Sequence, residues 1–327
     1  MSKRDYTLDI ARSLCVIWIV CFWHVGDYLD YSRASLESEI GSIITMGVLA
    51  CFTFMSGFLL KKYSFESLND TFAFYKKRLS RFYILLVVSA SSLYIAGLVV
   101  GQYFYSSLQF LSIIFGFGVF IDTPPSTLWY FSMIMLFYII TPLIQYKKSL
   151  NRQCISFIAF LSIFATLKYF SSFAVDSRLL LYFPIYFIGL VFRDSWMAYV
   201  KSKKLLSVFF PFLLLFLFRD IIPTLYDFTG SILIGSLIIT ISELVSKVCQ
   251  SWFFVKVSYS SMCAYLFHRH FYLLFVLLYN IGNTGSLRSA TIPVYIAIIC
   301  MLIIFMASYI IQKIFDMLNS NFLKHKI

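Results

Sequence analysis

Eleven apolar runs, separated by short stretches that hold most of the charge, leave this chain of 327 residues few folds to adopt. They are residues 8–28, 43–60, 82–101, 108–121, 128–146, 155–170, 179–192, 205–218, 231–245, 259–279 and 291–314. Most approach the roughly 20 residues with which a helix crosses a hydrocarbon core of about 30 Å. With 60% hydrophobic and only 13% charged residues, the chain lacks the surface of a water-soluble domain, where about a quarter of residues are charged. Apolar residues run continuously instead of alternating over about ten positions, which excludes an outer-membrane barrel. The expected fold is an all-α polytopic membrane protein.

The run at 108–121 is the exception. It is short, contains Gly116 and Gly118, and ends in the breaker run Asp122-Thr123-Pro124-Pro125. Loop charge decides whether it crosses, because cytoplasmic loops collect Lys and Arg. If it stays on the outer side, 20 of the 27 basic residues fall on the side of the N-terminus, and Arg33, Arg178, Arg219 and Arg288 fall opposite. Arg12, Lys168 and Arg269 lie inside runs. If it crosses, the later basic loops invert. The expectation is a bundle of about ten transmembrane helices plus a short re-entrant or outer-face segment. Both termini are then cytoplasmic, with residues 61–81 and 193–204 inside and 122–127 outside. No repeat or linker interrupts the pattern, so 1–327 reads as one membrane domain with no appended soluble domain.

The net charge of +12 sits at helix ends, as expected against anionic headgroups, and not on a face for a duplex, so no nucleic acid partner is expected. The seven cysteines are single and mostly within runs, which argues against a disulfide framework or zinc site. No Walker loop, dinucleotide fingerprint or metal-ligand cluster appears, so no metal is expected. The first run is interrupted by Arg12 and has no small-residue cleavage site, so it reads as a retained signal anchor in the cell membrane.

Arg12 and His24 lie inside that first run. A charge near mid-helix costs roughly 2.5 to 3.5 kcal/mol on insertion scales, so such residues mark a pathway or a reaction site. A neutral imidazole can take the proton of a hydroxyl as it attacks, which makes His24 the candidate base. Arg12 follows Asp9 by three residues, so an ion pair within the helix is the plainer reading of that arginine. Lys76, Lys77, Arg78 and Arg81 cluster in one loop, and Arg78 and Arg81, one helical turn apart, are placed to hold phosphates together. Trp129 and Tyr130 open a run on the outer face, as an aromatic belt or as a stacking platform for a sugar.

Four stretches together resemble the integral-membrane acyltransferase 3 family. They are LDIARSLCVIWIVCFWH (8–24), FTFMSGFLLKK (52–62) with FYKKRLSRFY (74–83), LWYFSMIMLFYIITPLI (128–144) and SMCAYLFH (261–268). The resemblance implies transfer of an acetyl or similar acyl group, with acetyl-CoA as donor substrate, to a hydroxyl of a cell-surface or capsular polysaccharide sugar. The implied partners are acyl-CoA, a glycan or lipid-linked sugar acceptor and the lipid bilayer. It implies chemistry at His24, Arg12 and His268, donor binding at Arg78, Arg81, Ser56 and Gly57, and acceptor binding at Trp129 and Tyr130. Ser56 and Gly57 match the family's Ser-Gly-Phe helix end, where glycine admits close approach of a ligand or of another helix. The rival reading is a transporter or flippase of a glycan precursor, its buried ionisable groups lining a passage.

One departure bears on geometry. The family usually leaves ten residues between the basic residue and the histidine; here eleven intervene, Ser13 to Trp23. On a regular helix Arg12 and His24 would then sit about 120° apart and roughly 18 Å along the axis. A π-bulge or wide turn within those residues is expected to absorb the extra one.

Overall fold

The computed structural model describes residues 6–29, 39–100, 105–170, 174–201, 223–284 and 291–324. Among them there are no strands, only two isolated bridges. Seven helical stretches among the described residues are long and apolar enough to cross a membrane. Two shorter apolar helices coincide with the runs at 128–146 and 179–192. The run at 205–218 lies outside the described residues. The protein is an all-α polytopic membrane protein.

The chain divides into two compact units, and the divisions fall inside two helices, α2 (Glu39–Leu60) and the helix Arg193–Lys201. Unit 1 comprises residues 1–52 and 200–327. It contains α1 (Tyr6–Ile17), a π turn (Trp18–Trp23), a 3₁₀ turn (His24–Tyr28) and the start of α2. The last three helices belong to it too, α9 (Pro223–Val248), α10 (Trp252–Thr284) and α11 (Val294–Lys324). α10 is its axis, packed against both α1 and α11, while α1 also packs on α9. Val16, Val20, Tyr272, Ala297, Cys300 and Ile304 form the middle of the core.

α11 has its apolar pattern inside out. Val294, Ile298, Leu302, Met306 and Ile310, each four residues after the last, are all more than half exposed. The opposite row, Ala297, Cys300, Ile304, Ser308 and Gln312, is buried. Only a lipid environment makes an unbroken apolar row on the outside stable, because tails solvate it as well as a core would.

Unit 2, residues 53–199, holds the end of α2, α3 (Leu68–Val100), α4 (Ser107–Phe115), α5 (Trp129–Ile144), α6 (Leu150–Phe170), α7 (Ser177–Val191) and α8 (Arg193–Lys201). Its centre is aromatic: Phe137 meets Tyr186 at 5.0 Å, Phe164 meets Phe183 at 5.3 Å edge-on, and Phe157 stacks on Phe187 at 4.3 Å. Such pairs contribute about 0.5–1.5 kcal/mol each beyond area burial. α4 is nine residues long, about 14 Å, too short to cross. A Ser106–Gln109 capping box starts it and Gly116, at φ 76°, ends it in the left-handed region that glycine tolerates. The run at 108–121 therefore forms no transmembrane helix.

Where α2 meets α7 the two backbones touch. A Cβ on Gly57 would strike the Tyr186 carbonyl oxygen and lie 2.9 Å from Leu190 N; one on Gly189 would strike the Phe54 carbonyl and lie 3.1 Å from Phe58 N. Small residues are what let helices approach this closely in a membrane.

Candidate functional site

α10 presents a row at three- and four-residue spacing, Ser258, Ser261, Tyr265, His268 and Tyr272, and that spacing keeps side chains on one face. All five are buried. The first transmembrane segment docks on this row at two levels.

At the lower level, the Ser258 hydroxyl donates to Asp9 Oδ1 at 2.7 Å and accepts from Arg12 Nη1 at 3.2 Å. The sequence suggests an Asp9–Arg12 pair within one helix; in the structure a hydroxyl from α10 bonds to both side chains. Ser13 adds a second tie, its hydroxyl lying 2.8 Å from both the Asp9 and the Phe254 carbonyl oxygens.

Between the levels the helix widens as the count of eleven residues requires. Regular α-helix ends at Ile17, and the His24 N–H bonds the Ile19 carbonyl, five residues back. A turn closed over five residues absorbs one residue, roughly 100° of the 120° misalignment. The wide turn is pinned from outside: Trp18 Nε1 donates to Thr45 Oγ1 at 3.0 Å, and the Tyr272 hydroxyl donates to the Val20 carbonyl at 3.0 Å. Tyr28 stacks on Tyr272 at 5.0 Å, and the Ile292 N–H bonds the Tyr28 carbonyl at 2.8 Å.

At the upper level two histidines meet. The His24 ring lies 4.8 Å from that of His268, only 4° from parallel, and Tyr265 stands edge-on to both at 6.3 and 6.0 Å. His268 is fully buried and His24 nearly so. His268 Nδ1 lies 2.7 Å from the Tyr265 carbonyl, and a carbonyl only accepts, so the hydrogen of the neutral ring is assigned to Nδ1 and the lone pair to Nε2. His268 Nε2 and His24 Nδ1 are both buried without a hydrogen-bond partner among the described residues. Beside them Arg269 bonds Asp27 at 3.0 Å and reaches the Tyr28 hydroxyl at 3.4 Å. Asp27 follows His24 by three residues and Arg269 follows His268 by one, so this ion pair ties together the two segments that carry the rings.

The site therefore brings together His24 and His268, with Arg12 of α1 held at the level of Ser258, which lies ten residues before His268 along α10, about 15 Å at 1.5 Å per residue. Ser258, Tyr265, Asp27 and Arg269 escape a reading of the sequence by motifs. The three-four spacing in SYSSMCAYLFHRHFY was the available signal for the two on the polar row.

The remaining predicted residues lie in unit 2. Arg78 donates through Nε and Nη2 to the Tyr63 hydroxyl, at 3.3 and 3.1 Å. The Arg81 side chain lies outside the described residues. Ser56 is half-buried on α2, and Gly57 is occupied by the crossing with α7. Trp129 and Tyr130 are buried inside the unit rather than set in an exposed belt. The Arg178 guanidinium, held by Asp176 at 2.5 Å, covers Trp129 at 3.6 Å, and the Tyr130 hydroxyl meets Thr53 Oγ1 at 3.2 Å.

Among known proteins, neither a curated relative nor a solved structure matches the chain. The model of the acyltransferase domain family designated acyltransferase 3 matches residues 5–312. That match takes in both units and every residue of the double docking on α10, and the chain belongs to this acyltransferase family.

Proposed function

We propose that the protein moves an acetyl or similar acyl group from acyl-CoA, entering from the cytoplasm, to a hydroxyl of a cell-surface or capsular sugar. The observation that carries this reading is the buried His24–His268 pair, two imidazoles with ring nitrogens left unpartnered at the end of a polar row. A sugar hydroxyl is a poor nucleophile at neutral pH. Its oxygen attacks the thioester carbonyl as an imidazole takes its proton; the carbon–sulfur bond then breaks, and the thiolate leaves with that proton. His24 is assigned the base, and His268 the role of orienting the acceptor through Nε2.

Arg12 is assigned to the donor's pantetheine or phosphate end, for which planar guanidinium donors are suited, with Ser258 and Asp9 fixing its direction. Arg78 and Arg81 are assigned to the donor's phosphates. Trp129 and Tyr130 are assigned to the acceptor, which reaches Trp129 where Arg178 now lies. Residues 1–327 act as one membrane domain in this reading, in the cell membrane with both termini cytoplasmic. The direct test is to incubate purified protein with labelled acetyl-CoA. Release of CoA with label passing to a glycan acceptor supports the reading; a folded protein that releases none defeats it and returns the buried ionisable groups to a transport pathway.

Three further outcomes are expected. Arg78→Lys lowers acetyl-CoA affinity in calorimetry by about tenfold although the charge is kept, because an ammonium cannot offer two donors in one plane. Wild-type affinity in the Arg78→Ala, Arg81→Ala double variant would leave this stretch, which the sequence suggests as a loop and the structure places inside α3, a purely topological role. Tyr272→Phe removes the hydroxyl from the Val20 carbonyl at a cost of about 1 kcal/mol, read as a lower melting temperature in detergent. Turnover should fall further than stability does, since the wide turn aims His24. A cysteine at position 148 is expected to resist an impermeant thiol reagent added to intact cells, and labelling from outside would invert the proposed topology.

A further inference from the structure

Lys61, Lys148 and Arg193 converge on the end of α2 in unit 2. Lys61 Nζ lies 2.6 Å from Asp194 Oδ2, Arg193 Nε lies 2.9 Å from Asp194 Oδ1, and Arg193 Nη1 donates to the Phe58 carbonyl at 3.2 Å. Lys148 Nζ donates to the Lys61 carbonyl at 2.5 Å. Capping a helix C-terminus explains part of this gathering, since the last carbonyls of a helix carry about half a negative charge. It does not explain all of it. Three positive charges face one carboxylate and that half charge, which leaves an excess of roughly one and a half. Lys62 over Tyr63 and Lys147 over Tyr146, each at 5.6 Å, add to the same field.

The crowding is felt chemically. Partial burial, then the charges of Lys61 and Arg193, hold the Lys148 ammonium below the usual lysine range. Asp194 is held below the usual carboxylate range, first by the Lys61 hydrogen bond and then, against some desolvation, by Arg193. Its side chain is 67% exposed, so water and solutes reach the cluster.

A second observation is independent of charge. Gln145 is fully buried, and both its amide nitrogen and its amide oxygen lack a hydrogen-bond partner among the described residues. Polar atoms left this way cost roughly 1–3 kcal/mol each, so packing alone gives no reason for a glutamine there. Gln145 roots the loop that carries Lys148. That loop is threaded onto residues 61–67 by the Tyr146–Phe65 bridge and by the Lys147 N–H on the Phe65 carbonyl at 2.9 Å, with Lys147 at φ 43°.

We propose that Lys61, Lys148 and Arg193, with Gln145 at the root of the same loop, form a binding site for phosphate groups, in which Asp194 stands in for the ligand's anion. A phosphomonoester carries about −1.5 to −2 at neutral pH, which matches the excess once Asp194 swings out into solvent. The site is distinct from Arg78 and Arg81, and it does not require that the protein's reaction be acetyl transfer. Phosphate reaches it from a nucleotide or from anionic lipid headgroups.

The test uses the full chain at low ionic strength in two arms. In detergent, binding of adenosine 3′,5′-bisphosphate is measured by calorimetry; in phosphatidylcholine discs, the rise in melting temperature on adding phosphatidylglycerol is measured. Lys148→Gln should weaken the response about tenfold in the arm that matches the natural source, the effect of losing one charge-assisted hydrogen bond. Asp194→Asn should strengthen it several-fold, because Lys61 and Arg193 lose their internal competitor; an ion pair that is only structural would never give a gain. The nucleotide arm responding assigns the site to a nucleotide phosphate, and the lipid arm responding assigns it to headgroups. Wild-type behaviour of both variants in both arms, or a folded wild type that answers neither probe, overturns the proposal. Acyl transfer is assayed on the same preparations: absent transfer with intact phosphate binding sinks the enzymatic reading alone.

Discussion

His24→Ala is expected to lower acyl transfer by about 10²-fold or more, within the 10² to 10⁴ that a positioned general base contributes. Donor affinity should stay close to wild type, since the imidazole is not assigned to the donor's phosphates. The melting temperature should fall modestly, because His24 packs on His268 and Tyr265 while the hydrogen bonds that hold the wide turn come from Trp18, Val20 and Tyr28. A histidine that served only structure would lose folded protein and activity together. Turnover with labelled donor, measured beside the melting temperature, separates the two. Full transfer by His24→Ala with loss in His268→Ala would move the base to His268 Nε2, which the Tyr265 carbonyl already leaves as the lone-pair nitrogen.

Gly57→Ala and Gly189→Ala are each expected to destabilise the protein by about 3 kcal/mol or more before helix propensity is counted. Alanine is better than glycine inside a helix by about 1 kcal/mol, which offsets only part of the collision. The collision dominates because the new methyl meets backbone atoms of Tyr186 or Phe54, which no rotamer change can move aside. Once one alanine has forced α2 and α7 apart, the second meets less resistance, so the double variant should cost less than the two added together. Yield of monodisperse protein and melting temperature in detergent read this out. Wild-type stability in Gly189→Ala would mean the two backbones do not touch there.

Much of the architecture was legible in the residues. Apart from 108–121, the apolar runs coincide with helices wherever they are described, because transfer of a long apolar segment into lipid depends on that segment alone. The failure of 108–121 to form a crossing helix was legible in its glycines and in the run Asp122 to Pro125, which end a helix by local backbone chemistry. Even the wide turn at Trp18–Trp23 was expected once the spacing of Arg12 and His24 was set beside the family's, which is one residue shorter, since a helix converts residue count directly into angle.

Contacts between helices were not legible in this way. Nothing in LDIARSLCVIWIVCFWH says that the His24 ring lies flat on His268, that Ser258 bonds to both Asp9 and Arg12, or that Arg269 closes on Asp27. Gly57 announced a close approach without saying to what, and Trp129 read as an interfacial ring until Arg178 and Tyr182 were found packed on it. Sequence by itself determined that the chain is a set of membrane helices and where one is cut short. Each of these depends on one segment's own polarity and backbone. The tertiary structure decided which side chains meet. In a bilayer apolar faces have no preference for each other over lipid, so helices pair through close backbone contact and buried polar groups, and those are properties of two segments at once.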